Sequence, residues 1–268
     1  MPLSIGELLF PPACSGCGEL LEWNGLFAPE APVPLCPECR AKWEAAKEEV
    51  CGICNRPVSG CACLTEEQKK ARCLDFRKLA YYRHGNREEI ANRLIYRIKD
   101  HPNRRVAAFL AEELSVLIRE MLTERELSPD ETVLTYLPRS RGALLSVGTD
   151  QAKALAEEIS RISGIPVFPL IRRRFGHGKQ QKKLSYPERV KNAKQSFLAT
   201  GRTEGKGKYA ILIDDIVTSG AGMAACARLL RKSGSRGVLC VAVASDDANR
   251  EPPTVQPNLK SEYDRVFF

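Results

Sequence analysis

Two neighbouring carboxylates, Asp214 and Asp215, stand between an apolar run and a small loop rich in hydroxyls and glycine, Thr218-Ser219-Gly220-Ala221-Gly222. The run Tyr209 to Ile213 reads as a buried strand, which would deliver both acids to its C-terminal edge. Open α/β sheets bind ligands at that edge. The loop would open the next helix, where free N–H groups and the macrodipole favour an anion. A sugar phosphate fits both halves. Its hydroxyls donate to the carboxylates and its phosphate ester meets the N–H groups. A plain strand–turn–helix corner with Asp capping rarely needs two adjacent acids before two apolar residues.

The second chemical feature is sulfur. Nine of the eleven cysteines lie in the first 73 residues. In a reducing compartment, such clusters more often bind metal than form disulfides. Cys14-Ser-Gly-Cys17 and Cys36-Pro-Glu-Cys39 form two Cys-x-x-Cys knuckles, which give the closed tetrahedral thiolate set of a structural Zn²⁺. A second set follows in Cys51-Gly-Ile-Cys54 and Cys61-Ala-Cys63. Cys73 competes for its fourth place, and is otherwise a small buried hydrophobe. The segment has too little apolar content for its own core, so metal would supply its folding free energy. No βαβ pattern surrounds these pairs, which argues against thioredoxin-like redox chemistry.

The elements that must position these groups follow from periodicity. Leu64 to Cys73 lacks apolar periodicity and reads as a linker or short helix. Leu79 to Tyr82 reads as a strand. Ile90, Leu94, Ile95 and Ile98 share one face of a helix over 87–99. A second helix over 104–122 turns Ala107, Leu110, Ala111, Leu114, Leu117 and Ile118 inward. Ser128-Pro-Asp-Glu is a turn, and 132–137 is a short strand. That strand ends in Pro138-Arg139-Ser140-Arg141-Gly142, a basic loop suited to pyrophosphate because guanidinium groups grip phosphate oxygens bidentately. A helix capped by Asp150 runs to about Ser163. The basic stretch 172–183 contains His177 between two glycines, and could close over a bound anion or tether nucleic acid through its phosphates. The helix from Gly220 to Ser233 packs Ala224, Ala227, Leu229 and Leu230 inward, and Val238 to Ala244 is a buried parallel strand.

Composition sets the frame. The chain has 268 residues, 43% hydrophobic and 28% charged, which is ordinary for a globular protein with a real core. No apolar run approaches the ~20 residues of a membrane span. Glu7 interrupts the first apolar stretch and no basic residues precede it, so a signal peptide is not expected and the cytoplasm is. The net charge of +8 suits polyanionic partners.

The stretch 209–223 resembles the phosphoribosyl-pyrophosphate (PRPP) motif of the type I phosphoribosyltransferases. The resemblance implies that Asp214 and Asp215 hold the ribose 2′- and 3′-hydroxyls as the catalytic acids. Thr218, Ser219, Gly220, Ala221 and Gly222 would hold the 5′-phosphate, and Arg139, Ser140 and Arg141 the pyrophosphate with its Mg²⁺. The family usually ends the loop with Thr, and Gly222 stands there instead. Thr218 replaces an Asp of the hypoxanthine-type members, which counts against purine salvage.

A double Cys₄ ribbon leading into such a domain resembles the ComF family. Leu8-Leu-Phe-Pro-Pro12, Arg56-Pro57, Gly148-Thr-Asp-Gln151, Gln180 to Ser185 and Arg189-x-x-Asn192 carry the likeness along nearly the whole chain. It implies an open parallel α/β sheet over 76–268, preceded by a double zinc ribbon over 1–75 with two structural Zn²⁺. It also implies PRPP or a related sugar phosphate as ligand. Single-stranded DNA and a helicase-like competence protein are the further partners it points to, without membrane insertion. The alternative is a non-catalytic binding module of DNA uptake that uses an inactive PRPP-type domain.

Overall fold

The computed structural model describes residues 12–21, 33–99, 103–139, 148–174 and 186–246, together with 142 and 144. The sequence periodicities become strands and helices in alternation. β1 (Asp75–Tyr82), α3 (Ile90–Lys99), α4 (Arg104–Glu124) and β2 (Thr132–Tyr136) form the first half. They follow α1 (Pro37–Lys47) and α2 (Glu66–Lys70) of the cysteine-rich segment. α5 (Gln151–Ser163), β3 (Ile171–Arg173), α6 (Tyr186–Ser196), β4 (Phe197–Ala199), β5 (Tyr209–Val217), α7 (Ala221–Lys232) and β6 (Gly237–Asp246) complete the fold.

The main sheet is parallel throughout, in the order β1-β6-β5-β2. Beyond β2, Val167 bridges Leu134 in parallel and widens that edge. β3 and β4 pair antiparallel as a separate ribbon. Side chains alternate across a strand, and β5 shows how both faces are covered. Ile211 and Ile213 join one core with Leu239, Val241 and the inner faces of α3, α4 and α5. Ala210 and Leu212 join the other with Cys240, Ala242 and α7. The helix faces are those the spacing predicts: Ile90, Leu94, Ile95 and Ile98 are buried on α3, and Leu110, Leu114 and Ile118 on α4. Asp150 caps α5 by accepting from the Lys153 N–H, and Gly164 ends it at φ +75°, a left-handed position that glycine adopts without strain.

β1 begins four residues earlier than its apolar stretch indicates. Asp75, Arg77 and Lys78 are charged yet buried, because each has a partner. Asp75 accepts from Arg77 at 3.2 Å and from Arg125 at 2.9 Å. Lys78 reaches the Cys61 sulfur at 3.2 Å.

The cysteine-rich segment shares the core of the sheet. α1 starts on Cys36, whose sulfur accepts from the Cys39 N–H at 3.5 Å. Trp43 is wholly buried and meets Phe109 of α4 with ring centroids 6.2 Å apart. Lys47 bridges to Glu113 at 2.5 Å. Leu35, Cys39 and Trp43 thus belong to one apolar cluster with Leu79, Leu110 and Leu134. Among the described residues, no helix is long and apolar enough to cross a membrane.

Candidate functional site

The acid pair lies at the C-terminal rim of the sheet. β5 continues past the acids to Val217, because β6 stays paired beside it: Asp214 faces Ala242, and Val217 faces Ser245. Neighbouring residues of a strand point to opposite faces, and the two acids have different surroundings. Asp214 is 8% exposed and lines a cleft with Arg173, Phe197, Leu137 and the loop 217–223. Asp215 turns toward α3, where Lys99 Nζ lies 3.2 Å from its Oδ2. The backbone links them. Asp214 Oδ1 accepts from the Asp215 N–H at 2.9 Å, and Asp215 Oδ1 from the Ile216 N–H at 2.7 Å. Burial, followed by the neighbouring Asp215 charge, pushes the Asp214 carboxyl well above the usual range; the Asp215 N–H and Lys99 oppose the shift.

The loop beyond the acids turns through Gly220 at φ +71° into α7, which starts without a side-chain cap. Of its first-turn N–H groups, that of Ala221 donates to Ser219 Oγ at 3.4 Å, and an anion at this helix start would gain both hydrogen bonds and the helix dipole. At the position where Thr is usual, a Cβ on Gly222 would just touch Leu137 at 3.4 Å.

Arg173 lines this cleft, and Arg139 stands just beyond the end of the neighbouring strand β2. Arg173 donates from Nε to the Pro138 carbonyl at 3.2 Å and stacks on Phe197 at 4.7 Å. Burial lowers its pKa. Arg139 follows β2, whose end is held to β5 by Leu137 N–H donating to the Ile213 carbonyl at 2.9 Å. The Arg139 N–H donates to Asp150 Oδ2 at 3.1 Å, so the α5 cap also anchors the basic loop. Burial raises the Asp150 pKa against these hydrogen bonds. Ser140 and Arg141 lie outside the described residues, as do His177 and Lys179 of the basic stretch.

The sulfurs form two four-cysteine groups, Cys14, Cys17, Cys36, Cys39 and Cys51, Cys54, Cys61, Cys63, with ligand atoms in each within 4.8 Å of one another. Thiolates held about 2.3 Å from a tetrahedral Zn²⁺ stand about 3.8 Å apart, and Cys17 and Cys36 are 3.7 Å apart. The donor sets therefore fit zinc. Burial works against the Cys14 thiolate, but N–H groups of Cys36, Cys17 and Gly16 outweigh it and bring the thiol to about 6. Cys51 comes to about 6 in the same way, with burial opposed first by the Tyr81 hydroxyl. In the same groups, burial and neighbouring sulfurs push Cys39 up, and Cys63 up to about 12. Cys73, the competitor for the fourth place, instead lies against Cys240 in the other core.

Sequence reasoning did not single out Lys99 or Thr65. Lys99 ends an amphipathic helix with a basic last turn, and only the rim geometry shows its carboxylate partner. Thr65 opens a Thr-x-x-Gln capping box, a legible signal whose meaning depends on what α2 packs against.

A phosphoribosyl transferase domain matches residues 145–260. The chain is 28% identical over 212 residues to competence protein F of Haemophilus influenzae, covering 74% of this chain and 91% of that protein. It is 27% identical over 219 residues to competence protein ComFC of Bacillus subtilis, covering 79% and 84%. Among solved structures, the glutamine PRPP amidotransferase of B. subtilis, complexed with ADP and GMP, matches at 17% identity and a TM-score of 0.37. That match covers 57% of this chain and 30% of the amidotransferase, so the chain spans under a third of that enzyme.

Proposed function

The chain belongs to the ComF family, and from that premise we propose that it binds PRPP with Mg²⁺ at the β5 rim. One observation carries this reading: a buried acid, Asp214, shares its cleft with a helix N-terminus that has no side-chain cap, six to seven residues downstream. Asp214 and Asp215 accept hydrogen bonds from the ribose 2′- and 3′-hydroxyls. The N–H groups of 218–222 and the Thr218 and Ser219 hydroxyls take the 5′-phosphate. Arg139, with Ser140 and Arg141, takes the pyrophosphate. The carboxylates of the pair, together with ligand oxygens, would hold Mg²⁺, a hard cation that prefers such donors and supplies positive charge against the pyrophosphate.

Lys99 neutralises Asp215 before the ligand arrives, which keeps two adjacent acids from repelling a polyanion. Where an acceptor joins, its lone pair forms a bond to C1′ and the C1′–O bond to pyrophosphate breaks. The residues contribute by positioning and by stabilising charge on the leaving group. The two sulfur groups hold structural zinc and close the segment 1–75 onto the domain 76–268. The names of the relatives support a place in competence, with single-stranded DNA or a helicase-like protein as partners and the basic residues Arg172 to Arg174 as contacts.

The test is calorimetric titration with PRPP and Mg²⁺. Replacing both acids, Asp214→Asn with Asp215→Asn, is expected to abolish binding while two zinc ions per chain remain. Unchanged affinity in the double variant refutes the assignment.

A further inference from the structure

The two four-cysteine groups are chemically alike but have different neighbours. The second group adjoins the phosphate loop. A small cavity is bounded on one side by Cys51, Cys63 and Thr65, and on the other by Thr218 and Ser245. Two residues after Cys63, Thr65 occupies the space above Gly220. A Cβ placed on Gly220 would overlap the Thr65 hydroxyl and lie 3.2 Å from its methyl. Gly220 is thus required twice, by its left-handed φ and by this contact.

The contact continues along α2. Gln68 is fully buried and donates from Nε2 to the Met223 sulfur at 3.4 Å, in the first turn of α7. Glu67 lies 3.7 Å from Arg228, and the Arg72 carbonyl accepts from Arg231 at 3.4 Å. A helix of five residues has little stability of its own. α2 is held at its start by the sulfur group through Cys63 and at its end by Cys73 against Cys240. A short, doubly anchored helix therefore lies along the phosphate helix and fills the outer side of its turn.

We infer that Thr65 is a positioning residue that transmits the order of the second four-cysteine group to the phosphate loop. The loop's readiness for a phosphate ester then depends on that group and not on the first. The inference rests on the proposed phosphate site for its ligand arm only.

The test uses the full chain and two readouts. Amide hydrogen exchange over 218–222, measured without ligand, reports the order of the loop. Calorimetry with PRPP and Mg²⁺ reports its use. Thr65→Ala is expected to speed exchange at 218–222 about tenfold and to weaken PRPP binding by a similar factor, with the zinc content unchanged. Thr65→Ser keeps the hydroxyl and is expected to restore both. Cys54→Ser, which opens the second group, should speed loop exchange at least as much, and Cys17→Ser, which opens the first, should not. Wild-type exchange in Thr65→Ala overturns the inference, as does equal loosening by Cys17→Ser and Cys54→Ser. If Cys54→Ser does not fold, the Thr65 pair decides alone. If the wild-type chain binds no PRPP, the proposed function falls, and the exchange readout still decides whether Thr65 braces the loop.

Discussion

The first sulfur group sits against a wall of packed apolar side chains, and the second against the rim of the sheet at Thr218 and Ser245. Around the first, Cys14 and Cys39 share a core with Trp43, Ile90 and Leu94, and Gly16 packs so closely on Cys39 that a Cβ there would lie 2.6 Å from its sulfur. Around the second, Lys78 reaches Cys61 from β1, and Thr65 lies over the turn at Gly220. The same ligand set thus does two kinds of work. One group attaches a polar helix to the main core, and the other braces the part of the sheet edge where an anion would sit. A metal site is therefore understood from what its flanking residues touch, as well as from its ligands.

The largest effect would come from erasing the contrast altogether. Structural zinc in small domains contributes on the order of 10 kcal/mol per site, comparable with the whole stability of a typical domain, ~5–15 kcal/mol. Stripping both metals with a chelator is expected to abolish the cooperative thermal transition in scanning calorimetry. An unchanged transition would show that apolar packing alone holds the segment 33–74 in place.

A smaller effect separates the two groups. Trp43→Ala empties a fully buried site beside the first group, and such truncations cost about 3–5 kcal/mol. Denaturant titration should show that loss, while hydrogen exchange at 218–222 in the folded variant stays as in the wild type. Loosening of the loop by this substitution would mean that both groups act on the rim through the common core.

Much of this architecture was legible in the residues. The alternation of Ala210, Ile211, Leu212 and Ile213 between two cores, and the helical spacing on α3, α4 and α7, needed only periodicity. The two Cys₄ sets were legible because gaps of one or two residues constrain sulfur geometry. What escaped depends on distant partners. The start of β1 was hidden because Asp75, Arg77 and Lys78 read as surface until Arg125, Glu124 and Cys61 are seen beside them. α1 was missed because Pro37 to Lys47 is polar except for the face carrying Cys39, Trp43 and Ala46, and its first turn overlaps a sulfur knuckle. The β3–β4 ribbon and α6 gave no clear period. The acids read as one pair, whereas the strand directs Asp214 to the cleft lined by the loop 217–223 and Asp215 to Lys99. That division follows from strand geometry, but the side on which each lands required the register with β6.

The most direct measurement is a crystal structure of the chain grown with PRPP and Mg²⁺. The account predicts ribose density against Asp214 and Asp215, the 5′-phosphate on the N–H groups of 218–222, and Lys99 shifted from its contact with Asp215. Ligand density elsewhere, with the Asp214 cleft closed and the Lys99–Asp215 pair intact, would contradict it.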